Sequence, residues 1–230
     1  MMRRPTYLRP LPATFVETRT ALHALAEQVL CVARHGTVGR VGLVPALDGV
    51  ATPPFGPTAR VVAVEADELV DRDRDDERRA PISTLRAAAE FLGVSPGVPG
   101  ALWTPQTAVD LDAELSIDPE AVAALADWYG FVSAALDGLR QAGAPLDPLT
   151  LWPEGFDLAT SGAAVNYGGS PGDRSLDGPY LYVGPFERSF PPADPPYWNA
   201  AFGAALPYDR IGSLDEAVAF LVRGYHLTSP

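Results

Sequence analysis

One segment of the chain, residues 119–142, has the pattern of a helix that is apolar on nearly every side, and this constrains the fold most. Asp118 precedes it as a capping residue, Pro119 takes the first helical position and Gly143 follows the last. The apolar residues are Val122, Leu125, Trp128, Tyr129, Phe131, Val132, Ala135, Leu136 and Leu139. Such a helix is buried on more than one side, either between layers of one chain or at an interface between two copies.

The N-terminal part of the chain has helical and then strand-like patterns. Thr14 and Glu17 form a capping-box motif, which predicts a first helix over residues 15–34. Residues 38–44 and 60–65 are rich in β-branched side chains and predict strands of an antiparallel layer.

A hairpin and a short helix are expected next. The charged run 72–77 lies between the strand-like segments 68–71 and 78–82, so it is predicted to form a solvated hairpin tip. Ser83 is predicted to cap a helix that Gly93 ends.

Strand-like patterns return in the C-terminal third, and a second capping box, Ser213 with Glu216, predicts a last helix. Strands and helices do not alternate strictly, which favours an α+β fold with antiparallel sheet layers packed against about four helices. We expect a single domain over residues 1–230. The Pro- and Gly-rich loop 95–107 is the place where it could divide into subdomains 14–94 and 108–230. The strands are predicted at residues 149–152, 156–160, 163–167 and 180–183.

Charge and composition exclude several classes of partner. The net charge of −12 and the absence of a long basic run disfavour nucleic acid and anionic membrane surfaces. All 17 basic residues are Arg, which is typical of GC-rich bacterial genomes and leaves no lysine for Schiff-base chemistry. Cys31 is the only cysteine, so neither a disulfide within the chain nor a cysteine-based zinc cluster is expected. The N-terminal residues lack the apolar core of a secretion signal, and we expect a cytoplasmic protein.

The segments 149–160, 166–173 and 179–185 carry the residues most suited to chemistry. If residues 156–160 form a strand, Asp157 points away from Phe156 and Leu158, and a charge lies close to the core. One interpretation is a pocket for a polar or cationic ligand, a divalent ion or an activated water; the other is that Asp157 ties two strand ends together. The candidate ligand-binding residues are Trp152, Asp157, Asn166, Tyr167, Asp173, Arg174, Tyr180 and Tyr182.

Part of the chain resembles a bacterial domain family of unknown function that is common in actinobacteria. The resemblance rests on Trp-Pro-x-x-Phe-Asp-Leu-Ala at residues 152–159, Ser-Pro-Gly-Asp at 170–173, a Tyr-rich strand and an early Ala-Leu-His-x-Leu-Ala-Glu helix. It covers about half the chain, residues 20–45 and 149–186. The family often has a His before Phe-Asp-Leu-Ala where this chain has Gly155, which argues against a metal ligand there. The resemblance implies that the chain is related to this family, but it supplies no mechanism because no activity is known for the family.

The three histidines, His23, His35 and His226, lack metal-ligand spacing, and we expect neither a metal nor a cofactor. His23 lies four residues from both Arg19 and Glu27, a helical ladder that could raise its proton affinity.

Three functions remain open from the sequence. The first is a non-catalytic small-ligand-binding or protein-interaction protein with a pocket near residues 152–182. The second is a hydrolase or isomerase that uses Asp157 with Glu154 or His23 as acid and base. The third is an oligomeric structural component that self-associates through helix 119–142.

Overall fold

The protein is described by a computed structural model that covers residues 5–108, 110–187 and 196–228. Its α+β architecture, with two antiparallel five-stranded sheets and four continuous helices among the described residues, confirms the predicted fold class. The chain divides into two compact units. The first contains residues 10–126 and 151–156, and the second contains residues 5–9, 127–150 and the described part of 157–230. Residues 95–107 lie within the first unit.

The helices and strands follow one another in short elements. The helical elements are α1 (Phe15–Leu25), a π-helical turn (Ala26–Leu30), α2 (Cys31–Val38), α3 (Leu85–Leu92), α4 (Pro119–Gln141) and α5 (Leu214–Thr228). The strands are β1 (Val44–Ala46), β2 (Gly49–Ala51), β3 (Val61–Glu65), β4 (Glu68–Asp73), β5 (Asp76–Pro81), β6 (Thr150–Trp152), β7 (Asp157–Gly162), β8 (Val165–Ser170), β9 (Tyr180–Pro185) and β10 (Ala204–Pro207). Short 3₁₀ turns occur at Pro99–Ala101 and Tyr208–Arg210.

The first sheet is an antiparallel meander in the order β1-β2-β3-β4-β5. The predicted hairpin is confirmed, because β4 and β5 pair and the chain reverses at Arg74 and Asp75. The predicted strand over 38–44 is wrong. The first helix continues to Val38 and Gly39 then adopts a left-handed conformation, so only Val44 of that run enters a strand.

Two predicted helix starts differ from the structure. The Thr14 side chain makes no capping bond to α1 and instead donates a hydrogen bond to the carboxylate of Asp118. The cap of α3 is Thr84 and not Ser83: the Thr84 hydroxyl accepts from the Ala87 amide at 3.1 Å. The predicted end of α3 at Gly93 is confirmed.

The second sheet is antiparallel, and helices pack on one of its faces. The strand order is β10-β9-β8-β7-β6, and α5 packs against β9 and β10. Helix α4 approaches β8 closely: a Cβ added at Gly169 would lie 3.1 Å from Cζ2 of Trp128 and 3.0 Å from Cγ1 of Val132. The Trp128 indole N–H donates to the carbonyl oxygen of Ser170 at 3.0 Å. Only a residue without a side chain allows this contact.

The predicted apolar helix is confirmed as α4, and Asp118 caps it by accepting from the Glu120 amide at 2.9 Å. Its apolar side chains, including Leu125 and Leu136, are buried within a single chain. They therefore belong to the core of the single chain. Among the described residues, no helix combines the length and apolar character needed to cross a membrane.

Candidate functional site

The candidate site lies on the face of the second sheet that points away from the Trp128 and Val132 side chains of α4. Side chains alternate along a strand, so Gly169, on β8, faces α4, whereas Gly168 faces the opposite side. The β9 residues Tyr180 and Tyr182 share that opposite face, since Tyr182 pairs with Gly168.

Tyr182 reaches across β8 to the carboxylate of Asp157 on β7. Gly168 lies between them in the register, paired with Tyr182 on one side and with Ala159 on the other. A Cβ at residue 168 would lie 2.7 Å from both Cζ and the hydroxyl oxygen of Tyr182. The Tyr182 hydroxyl donates a hydrogen bond to Oδ2 of Asp157. Because Gly168 has no side chain, the Tyr182 ring can lie across β8 and reach the half-buried carboxylate of Asp157.

Tyr180 and Asp173 form a second pair of the same kind. The Tyr180 hydroxyl donates to Oδ2 of Asp173 at 2.6 Å, and Oδ1 of Asp173 accepts from the amides of Ser175 at 2.7 Å and Leu176 at 3.2 Å. The phenol thus anchors the turn that follows β8.

The rings of Tyr180, Tyr182 and Phe202 pack against one another and so connect the two tyrosine–aspartate pairs. The Phe202 ring stacks on Tyr180 at a centroid distance of 5.8 Å and meets Tyr182 edge-on at 6.3 Å. Tyr180 and Tyr182 are 6.2 Å apart. We call Asp157, Asp173, Tyr180, Tyr182 and Phe202 the tyrosine–aspartate cluster.

The phenols of the cluster are donors and not bases. Burial, together with the nearby charge and hydrogen bond of Asp157, raises the pKa of Tyr182 well above its ordinary value. Burial and the hydrogen bond to Asp173 also raise the pKa of Tyr180. Both hydroxyls therefore stay protonated at neutral pH and hold the two carboxylates in fixed orientations.

The other predicted ligand-binding residues are spread more widely. Tyr167 lies on the face that carries Gly169, and its hydroxyl is 3.4 Å from Oγ1 of Thr228. Asn166 lies on the cluster's face of β8 and accepts from the hydroxyl of Ser161 at 2.8 Å. Arg174 is exposed, and Trp152, 47% exposed, belongs to the first unit. The structure thus brings together Asp157, Asp173, Tyr180 and Tyr182 and adds Phe202, which the sequence did not single out.

His23 and Glu154, the other catalytic candidates, belong to the first unit. Nε2 of His23 lies 3.1 Å from the carbonyl oxygen of Pro153 and 3.0 Å from that of Glu154, so the contact with Glu154 is through its backbone. The expected rise in proton affinity is wrong: burial lowers the pKa of His23 and outweighs the opposite effect of Glu27.

Glu27 is a buried carboxylate that sequence reasoning did not identify as a site residue. It accepts hydrogen bonds from the Trp103 indole at 2.9 Å, from the amides of Gln106 and Thr107 at 2.8 and 3.0 Å, and from the Thr107 hydroxyl at 2.6 Å. Four neutral donors fix it as the anchor of the loop that contains residues 103–107. The π-helical turn that carries Glu27 has no sequence signature that could have revealed this role.

Within the described ranges, no group of three or more His, Cys, Asp and Glu side chains is arranged to hold a metal ion. No protein-family model, no curated protein and no solved structure matches this chain.

Proposed function

We propose that the chain is a non-catalytic protein that binds a small cationic ligand at the tyrosine–aspartate cluster. The observation that carries the proposal is the half-buried carboxylate of Asp157, which the Tyr182 phenol orients from two strands away. A carboxylate beside aromatic rings favours ammonium and guanidinium groups, which pair with the charge and pack on the ring faces.

The electrostatics of the chain support the same ligand class. A net charge of −12 attracts cations and repels phosphates, so we do not propose nucleic acid as a partner. The alternative of an enzyme has less support, because the phenol that contacts Asp157 has a raised pKa and is a poor acid at neutral pH.

Thermal unfolding with choline, agmatine and spermidine as cationic probes tests the proposal. A ligand that binds only the folded state at about one hundred times its Kd adds ~2.7 kcal/mol to the free energy of unfolding. At least one probe is expected to raise the midpoint temperature, and Asp157→Asn is expected to abolish that rise, since it removes the charge with little change in shape.

Asp75→Asn is the matched control, because Asp75 is exposed at the hairpin tip of the first sheet and the substitution changes the net charge equally. Its response to the probes should equal that of the unmodified protein. An equal response in Asp157→Asn, or no stabilisation of the unmodified protein by any of the three cations, would refute the proposal.

A further inference from the structure

The segment Leu151–Phe156, which we call the strap, belongs to the first unit, although residues 127–150 and 157–230 on either side of it are assigned to the second. One end is held by two backbone hydrogen bonds with Leu43: the Leu43 amide donates to the Leu151 carbonyl at 2.8 Å, and the Leu151 amide donates back at 3.0 Å. Leu151 and Phe156 are buried. The strap is therefore docked on the first unit at both ends.

His23 of α1 contacts the middle and the far end of the strap. Its Nε2 is within hydrogen-bond distance of the carbonyl oxygens of Pro153 and Glu154, and its ring stacks on Phe156 at a centroid distance of 5.3 Å and an interplanar angle of 7°. Carbonyl oxygens only accept hydrogen bonds, so Nε2 carries the proton. A second proton would add to Nδ1 and place a positive charge on a ring packed against Phe156.

Charged residues on two elements lie near this ring. On its own helical segment Glu27 favours the protonated ring and Arg19 disfavours it. The strap contributes Glu154, which contacts the ring with its carbonyl oxygen, while its side chain is exposed. Removal of the ring from water is the largest of these effects, and the pKa of His23 is lowered as a result.

We infer that His23 is an acid-sensitive latch, which holds the strap on the first unit while the imidazole is neutral and releases the strap when the imidazole is protonated. The driving force for release is hydration of the imidazolium, because the charged ring is shielded from water while the strap is docked and becomes accessible to water on release. The inference does not depend on the proposed ligand.

Hydrogen exchange of the Leu43 and Leu151 amides, corrected for the intrinsic pH dependence of exchange, tests the latch. Between the ordinary His pKa of 6.5 and the lower value in the docked state, each pH unit of acidification is expected to reduce their protection by up to about tenfold. The Thr52 amide, which donates to Val62 at 2.8 Å within the first sheet, is the internal control and should keep its protection.

His23→Gln separates titration from docking, because the glutamine amide can donate to both carbonyl oxygens but does not titrate. Its Leu43 and Leu151 amides are expected to stay protected down to pH 5. Protection that is independent of pH in the unmodified protein, or an equal loss in His23→Gln, would overturn the latch.

An NMR titration of the unmodified protein covers the case in which His23→Gln does not fold. The His23 ring is expected to titrate below 6.5, and the strap amides should shift with the His23 midpoint. A His23 midpoint at or above 6.5, or strap amides that do not follow it, would equally overturn the inference.

Discussion

Individual carboxylates in this protein have different partners, and the partners distinguish structural from functional candidates. Asp71, only 4% exposed, accepts from Arg60 at 2.7 and 3.0 Å and also from Arg78. Two arginines neutralise it inside the first unit, which is the expected arrangement for a structural buried charge. Asp157 is half-buried, and it accepts a hydrogen bond from the Tyr182 phenol, a neutral group that brings no positive charge to the carboxylate.

Asp71→Asn is expected to lower the free energy of unfolding at pH 7 by about 3 kcal/mol, because it leaves two arginines without their shared counter-charge. Burial alone would raise the pKa of Asp71, but its hydrogen bonds and ion pairs with Arg60 and Arg78 lower it overall. Its stabilising effect is therefore present above the unfolded value of 3.8 and is lost as the pH falls through the folded value.

Urea denaturation at pH 7 and pH 3 measures this difference. The gap between Asp71→Asn and the unmodified protein should shrink at pH 3, and a gap of equal size at both pH values would contradict the ion-pair explanation. Asp112→Asn is the control, because the Asp112–Arg86 pair is exposed and its loss should leave the unfolding curve unchanged within error.

At the scale of elements, sequence motifs predicted the ends of a helix correctly where the capping contacts join residues that are close in sequence. Helix α4 begins and ends where Asp118, Pro119 and Gly143 indicate, since its cap is a bond between near neighbours. The capping box at Thr14 failed because its hydroxyl bonds to Asp118, 104 residues further along the chain. A capping motif spans only a few residues, so it cannot predict that contact.

The π-helical turn Ala26–Leu30 could not be predicted from local sequence patterns either. All five of its residues are buried, so the apolar spacing of three and four indicates a helix without revealing where it widens. The Cys31 thiol donates to the carbonyl oxygen of Glu27 at 3.1 Å, and burial raises the pKa of this thiol to about 12. Cys31 is thus a buried thiol that packs as a small apolar residue.

The close approach of α4 to β8 leads to a prediction at the element scale. Gly169→Ala is expected to lower the free energy of unfolding by about 1–3 kcal/mol, because the new methyl group would overlap the side chains of Val132 and Trp128. Gly178→Ala is the matched control, since no atom lies within 4 Å of the position its methyl group would take. Equal stability of the two variants in urea denaturation would show that α4 does not approach β8 this closely.

For the whole molecule, composition and the order of elements were sufficient to predict an α+β fold, but not which residues of the candidate site meet. Asp157 and Tyr182 come together because β7, β8 and β9 pair in one register. A shift of one residue would have turned Tyr182 to the other face, where Tyr167 lies. The sequence predicted both residues as candidates and could not separate their faces, because register depends on pairings between distant strands.

Leu136→Asp distinguishes a core helix from a subunit interface. Leu136 is buried within one chain, so a carboxylate there would lose its hydration without gaining a counter-charge. We expect loss of more than about 4 kcal/mol of stability and collapse of the far-UV circular dichroism signal at every protein concentration. Gln141→Asp adds the same charge at the exposed end of the same helix and should stay folded. If the helix instead joined two copies, Leu136→Asp would keep its helical signal, and sedimentation velocity would show folded 24.4 kDa monomers where the unmodified protein gives a larger mass.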